Sequence, residues 1–326
     1  MTHVVVTGAR GFVGQVLVRR LLAAGLNGKA VARLTLMDLA FDQAPDDPRV
    51  AQMAGSIADA SVRALAFSSP VDVVFHLASV PGGAAEKNYA LGRSINLDAT
   101  IGLLEDLRGQ ADLGGAAPRF VPPRFIFAST VAVYGESLPA VVDETTLPAP
   151  ALSYGAHKLA GEYLVADATR KAWIQGCSLR LPGVVARPGT GEGLMSAFMS
   201  QLFWKLAAGE PITVPVSPRG MAWWISAHAC VGNLLKAARL EPGSLNAQRS
   251  YQMPALHLTV AQVVDALADR FGPDRKALVT YAPDPLIERL FAQYPPLHTP
   301  AAERLGFCHD GSVAQLVEAA LQVTMA

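Results

Sequence analysis

The chain has 326 residues, 51% hydrophobic and 17% charged, enough apolar side chain for a sizeable core, which excludes a mainly disordered protein. Lys plus Arg (27) balances Asp plus Glu (27), which excludes a nucleic-acid binder drawing its affinity from phosphates. Three widely spaced cysteines, Cys177, Cys230 and Cys308, exclude a disulfide framework and a CxxC metal site.

The opening run Val4-Val5-Val6 stops at Thr7-Gly8 with no basic residues before it, so it predicts a strand rather than a signal peptide. No apolar stretch reaches the roughly 18 residues of a membrane span, and the expectation is a cytoplasmic protein with no membrane partner. Residues 12–24 place Phe12, Val13, Val16, Leu17, Leu21 and Leu22 at helical spacing and stop at Gly25. Further strands are predicted over residues 34–38, 71–76, 125–129 and 179–185, with a long helix over 96–107 carrying Leu97, Ile101, Leu103 and Leu104. Strands alternating with helices predict an α/β fold, a Rossmann-type doubly wound parallel sheet. After Val185, prolines break the chain into loops between helices predicted over 194–208, 227–238, 259–271 and 313–323, with Thr259 as an N-cap. The expected division is a nucleotide-binding domain over 1–185 and a smaller α+β substrate cap over 186–326, with segments returning to the core. The phrase Pro118-Arg119-Phe120-Val121 is nearly repeated at Pro122-Pro123-Arg124-Phe125 and has no functional account.

Thr7-Gly8-Ala9-Arg10-Gly11-Phe12-Val13-Gly14 follows a buried strand and opens an amphipathic helix, the context of a dinucleotide loop. Gly8 allows the turn, Gly11 lets backbone approach a pyrophosphate, and Gly14 lets helix and strand pack. The helix start at Phe12 and Val13 offers N–H groups to the anion, with Arg10 beside them. Asp38, ending the second strand, would accept both adenosine ribose hydroxyls and repel a 2′-phosphate, which favours NAD over NADP. Arg10 and Arg33 are the two cations able to oppose that choice. Asp59 is read either as a contact to an adenine amino group or as a helix cap.

Tyr154 and Lys158 stand four residues apart, on one helix face, and Ser129-Thr130 ends a buried strand at the edge where open α/β sheets bind ligands. With these residues in place the chain resembles the extended short-chain dehydrogenase/reductase family, which includes nucleotide-sugar epimerases and dehydratases. The resemblance rests on the glycine loop, Asp38, His76-Leu77-Ala78-Ser79, Asn96, Ser129-Thr130-Val131-Ala132-Val133-Tyr134-Gly135, the Tyr154–Lys158 pair and Arg180-Leu181-Pro182-Gly183-Val184-Val185. It implies NAD as cofactor, Tyr154 as base, Lys158 as its electrostatic partner and ribose contact, and Thr130 as the hydroxyl holding the reacting oxygen, with Ser129 as the fallback. Pro182 and Val184 would fix the nicotinamide face, and Leu77, Ala78, Ser79 and Asn96 would line the cofactor. A tyrosine, ordinarily near pKa about 10, is a poor base at neutral pH, and a neighbouring ammonium favours its phenolate.

Seven histidines show no metal spacing, so no metal is expected, and His76 reads as a loop residue lining the cofactor. The stretch Ser79-Val80-Pro81-Gly82-Gly83-Ala84-Ala85-Glu86 reads as a glycine-rich loop, with Ser79, Gly82 and Gly83 offered to a small carboxylate. At Arg219-Gly220-Met221-Ala222-Trp223-Trp224-Ile225-Ser226 the nucleotide-sugar relatives carry an Asp–aromatic–Val–His core; here two tryptophans are expected to shrink the pocket. These departures, with Arg187-Pro188-Gly189-Thr190-Gly191-Glu192-Gly193, resemble the D-erythronate dehydrogenase branch, which oxidises the C2 hydroxyl of a four-carbon sugar acid. Arg187 and Arg219 are the candidates for the substrate carboxylate, since guanidinium matches it bidentately. The alternatives are a nucleotide-sugar 4-epimerase or dehydratase, and a non-catalytic NAD sensor. The expected partner is a small sugar acid, and the expected assembly a homodimer.

Overall fold

The computed structural model describes residues 2–44, 46–114, 121–189 and 194–322. Pro118, Arg119 and Phe120 of the repeated phrase, Thr190 to Gly193 of the Arg187 stretch, and Val323 lie outside the described residues. In chain order the first elements are β1 (His3–Thr7), α1 (Phe12–Ala24), β2 (Arg33–Asp38), β3 (Val50–Ala54), α2 (Ala60–Ala66), β4 (Val73–His76), α3 (Gly82–Lys87) and α4 (Tyr89–Arg93). Next come α5 (Ala99–Gly114), β5 (Arg124–Thr130), α6 (Ser153–Arg170), β6 (Gln175–Leu181), β7 (Gly183–Val185), α7 (Ala197–Ala208), β8 (Ile212–Val214), β9 (Met221–Ser226) and α8 (Ala227–Ala237). The last are β10 (Ser250–Gln252), β11 (Leu256–Thr259), α9 (Val260–Phe271), β12 (Val279–Tyr281), α10 (Pro285–Phe291), α11 (Pro300–Arg304) and α12 (Val313–Leu321).

Seven strands form the main sheet in the order β10-β6-β5-β4-β1-β2-β3, with β1 to β5 paired in parallel. Every residue of β1 is buried, as its unbroken apolar run requires of a strand covered on both faces. The sheet order reverses between β1 and β4, which puts a crevice beyond their carboxyl ends. Below it, Val74, Leu103, Leu107, Phe125, Phe127 and Val165 pack in one apolar core.

The strand expected over residues 179–185 is two strands. β6 belongs to the seven-stranded sheet, while β7 belongs to a three-stranded sheet of order β11-β9-β7. Pro182 lies between them, and a residue without an N–H cannot continue a ladder. The helix expected over 96–107 begins instead as a π-helical turn, Ser94–Asp98, that runs into α5. Two compact units interleave along the chain. The first holds the stretch ending at Val133, Leu152–Arg180 and Leu234–Tyr251, and the second Tyr134–Ala151, Leu181–Asn233 and the stretch from Gln252. In the second, α9 opens on a full capping box, with Gln262 N–H donating to the Thr259 hydroxyl and Thr259 N–H to the Gln262 side chain.

The join between β1 and α1 depends on two glycines. Gly8 has φ +68, and a Cβ there would stand 2.7 Å from the Ala78 nitrogen. A Cβ at Gly14 would stand 2.2 Å from the Gly8 carbonyl oxygen, so α1 sits against the turn with no space for a methyl. Gly14→Ala is therefore expected to lower the unfolding free energy by about 1–3 kcal/mol. A urea titration with an unchanged midpoint would contradict that packing.

Candidate active site

In the first unit Thr7, Asp38, His76 and Thr130 each end a strand, so all four lie along the carboxyl edge of the sheet. No side chain caps α1 and its first turn holds no acidic residue, which leaves its positive end to an external anion. The Asp38 carboxylate accepts Arg10 N–H on one oxygen and Leu39 N–H on the other, each at 2.8 Å. A carboxylate has about four acceptor positions, so two remain for ribose hydroxyls. Glycine turn, bare helix start and Asp38 thus fit a dinucleotide. Of the two opposing cations, Arg10 pairs with Asp42 and donates to the Ala40 carbonyl at 3.1 Å. Arg33 opens β2 at the end opposite Asp38 and donates to the Ser69 hydroxyl at 2.8 Å, away from the ligand edge. Asp59 caps α2, accepting Ser61 N–H at 2.8 Å.

His76 is not a loop residue lining the crevice; it is the fully buried last residue of β4. Its Nδ1 meets the Thr7 hydroxyl at 2.8 Å and its Nε2 the Thr100 hydroxyl at 2.9 Å. Thr7 Oγ1 also accepts the N–H groups of Leu77 and Ala78, so its own proton points to Nδ1. The imidazole proton therefore sits on Nε2 and is donated to Thr100, which donates to the Asn96 carbonyl at 3.1 Å. Asn96 is fully buried, and its side chain accepts Val80 N–H and donates to the Val80 carbonyl, shaping the segment after β4 instead of presenting itself to a ligand. Of that segment, Leu77 and Ala78 are half-buried and Ser79 is exposed. Burial first, and the Lys158 charge second, push the His76 pKa well below its ordinary range. Its ring resonances should not move between about pH 5 and 8, the window where an unperturbed histidine titrates; a midpoint near 6.5 in an NMR titration would contradict the neutral relay.

Tyr154 stands half-buried in the first turn of α6, and Lys158 one turn on is 1% exposed, with its ammonium 4.7 Å from the centre of the Phe127 ring. Burial lowers the Lys158 pKa to about 7. Ser129 and Thr130 diverge in role. The Ser129 hydroxyl donates to Glu162 at 2.5 Å, while Thr130 Oγ1 accepts Ala132 N–H at 3.1 Å. The fallback hydroxyl is thus spent inside the fold. Glu162, which no sequence motif marks, is 3% exposed and forked by Arg180, with Nη2 to Oε2 at 2.7 Å. The stretch read as a glycine-rich loop is helical: Gly82 and Gly83 open α3, and Glu86 accepts Ser153 N–H at 2.9 Å, supplying the cap that Leu152 does not give α6. A Cβ at Gly82 would lie 3.7 Å from the Tyr154 ring, so α3 packs beside that tyrosine.

Because Lys158 is folded with a pKa below its unfolded value of about 10.4, the unfolded chain binds the extra proton, and stability rises with pH from about 7 upward. Lys158→Met should therefore melt above the cofactor-free wild type at pH 7, with the margin shrinking by pH 9. A variant that melts lower at both values would contradict the desolvation argument.

In the second unit, Pro182 is buried and Val184 pairs with Ile225 between β7 and β9. Arg187 is half-buried two residues beyond β7; its N–H donates to the Ser200 hydroxyl and its carbonyl accepts the Trp204 indole. Arg219 is exposed in the turn before β9. Since Val185 lies beside Ser226, at the far end of β9, the two arginines stand at opposite ends of that sheet, about 15–20 Å apart along the strand. Trp224 is no pocket lining: it is fully buried with Phe203, its indole donating to the Leu258 carbonyl. Trp223, on the other face, is 1% exposed, stacks on Tyr294 at 4.6 Å and meets Tyr134 edge-on.

Among the described residues no three His, Cys, Asp or Glu side chains gather as a metal site, and no helix is long and apolar enough to cross a membrane. The NAD dependent epimerase/dehydratase family matches residues 4–227. A D-erythronate dehydrogenase of Cupriavidus necator is 35% identical over 98% of both chains, and one of Haemophilus influenzae is 29% identical over 99% of both. A solved nucleoside-diphosphate-sugar epimerase of Agrobacterium tumefaciens superposes with a TM-score of 0.90 at 29% identity, covering 99% of this chain and 94% of the other. The chain belongs to the NAD dependent epimerase/dehydratase family, as an NAD-dependent dehydrogenase.

Proposed function

We propose that the protein oxidises the C2 hydroxyl of a small sugar acid, D-erythronate to 2-oxo-erythronate. The observation that carries the reading is the intact set of Thr130, Tyr154 and Lys158 in the unit that also holds the glycine turn and Asp38. The choice of substrate is supported by full-length similarity to two relatives named for that activity. NAD, when bound, accepts the hydride. Tyr154 takes the alcohol proton, the C2–H bond gives up its electron pair, and a C2 carbonyl forms. Thr130 holds the reacting oxygen, and Lys158 favours the phenolate of Tyr154 and binds ribose hydroxyls. Ser79, Gly82 and Gly83 serve substrate, with Arg187 or Arg219 for its carboxylate; Gly8 to Gly14, Asp38, Pro182 and Val184 serve the cofactor.

A nucleotide-sugar epimerase would use the same tyrosine, and similarity to the Agrobacterium tumefaciens epimerase keeps that reading in the test. The intact Tyr154 and Lys158 weigh against a non-catalytic sensor. A homodimer is part of the proposal, and three unpaired cysteines support a reducing cytoplasm.

The test is NAD reduction over four- to six-carbon aldonates, with UDP-glucose epimerisation as the contrast. D-erythronate should be the best substrate, with higher kcat/KM for NAD than for NADP, and Tyr154→Phe should cut turnover by about 10²–10⁴ while NAD still binds. UDP-sugar turnover matching that of any aldonate, or a preference for NADP, would overturn the reading.

A further inference from the structure

One buried ionic group takes no part in the chemistry just described. Glu162 Oε1 accepts the Ser129 hydroxyl at 2.5 Å and Arg180 Nε at 3.0 Å, while Oε2 accepts Arg180 Nη2 at 2.7 Å. Ser129 immediately precedes Thr130 at the end of β5. Glu162 lies four residues beyond Lys158 and eight beyond Tyr154, which places all three on one face of α6. Arg180 comes from β6, the neighbour of β5 in the sheet. A single carboxylate thus joins the strand that carries Thr130, the helix that carries Tyr154 and Lys158, and the next strand over.

Stability alone is a poor reason for this group. Desolvating two charges costs about as much as their attraction returns, so a buried pair is commonly no better than packed hydrocarbon. A fully satisfied polar network does fix geometry. Apolar contact already brings α6 close to β5, since a Cβ at Gly161 would stand 2.7 Å from the Phe127 ring. Val165 and Ala168 of α6 pack into the same core and oppose gross sliding. The Ser129–Glu162 hydrogen bond ties α6 to the end of β5 itself and makes the axial placement there finer, because displacement by one residue's rise, about 1.5 Å, breaks it.

We propose that Glu162, held by Arg180, is a positioning residue that acts through Ser129. It sets the axial register of α6 against the end of β5, and with it the placement of Tyr154 and Lys158 relative to Thr130. Arg180 also neutralises the carboxylate, which would otherwise stand as an anion one turn from Lys158. The proposal rests on the catalytic reading above.

Ser129→Ala is the first test, because it deletes the register bond and leaves the ion pair in place. It should lower kcat about 10-fold or more, as misplacement of reacting groups by an ångström does, with KM for NAD and the melting temperature close to wild type. The pH of half-maximal activity should move up as the phenolate loses its cation, and Ser129→Thr, which restores the hydroxyl, should recover most of the loss. Glu162→Gln should move kcat and the pH profile in the same direction. Unchanged kcat and pH profile in Ser129→Ala, or equal losses of NAD affinity and melting temperature, would overturn the proposal. A readout without substrate separates this outcome from failure of the catalytic reading: the phenolate absorbance of Tyr154 in the cofactor-free protein, taken as the difference from Tyr154→Phe. Its midpoint should rise in Ser129→Ala. If no aldonate is oxidised by the wild type, an unmoved midpoint still refutes the register.

Discussion

The ammonium of Lys158 lies 4.7 Å from the centre of the Phe127 ring, and Gly161 meets the same ring one turn further along α6. The helix that carries Tyr154 is seated by this approach. A charge held there, 1% exposed, loses most of its hydration, and its pKa falls to about 7. Such a cation is a strong electrostatic partner for any anion that forms beside it, because little water screens the two. The cost of burying it falls on the folded state, and the packed sheet below has to carry that cost.

The sheet also explains why so few side chains suffice. Parallel strands end on one edge, so residues far apart in sequence arrive there together. Thr7 and His76 are paired across β1 and β4, and both are used to shape the backbone beyond the strands. His76, Thr100 and Asn96 turn what would be unsatisfied polar groups into a directed chain ending on the segment at Val80. That edge also carries the bare start of α1, the acceptor positions of Asp38 that the backbone does not use, and the Thr130 hydroxyl, whose oxygen accepts Ala132 N–H.

Much of this was legible in the sequence where the signal is local. The spacing of Phe12, Val16, Leu17 and Leu21 and the stop at Gly25 give α1 with both ends right, and the glycine turn and the Tyr154–Lys158 interval lie within one supersecondary unit each. Long-range partners were not legible: Glu162 finds Ser129 33 residues away and Arg180 18 away, and nothing in either neighbourhood marks the pairing. The Gly82-Gly83 pair carries a loop signal, yet Glu86 ties α3 to Ser153 across 67 residues, and that contact outweighs propensity. Residues 221–226 show no alternation because β9 is buried on both faces, so two tryptophans that belong to separate packing layers read as one patch. The break at Pro182 was visible as a proline but not as a change of sheet.

The most direct measurement of the central claim is the fate of a label at the carbon said to react. D-erythronate carrying deuterium at C2 should transfer that deuterium to the reduced cofactor in each turnover and slow when hydride transfer limits the rate, while Tyr154→Phe makes the same transfer about 10²–10⁴-fold more slowly. Reduced cofactor that forms without deuterium would place the oxidation at another carbon, and no reduction with any aldonate would contradict the account.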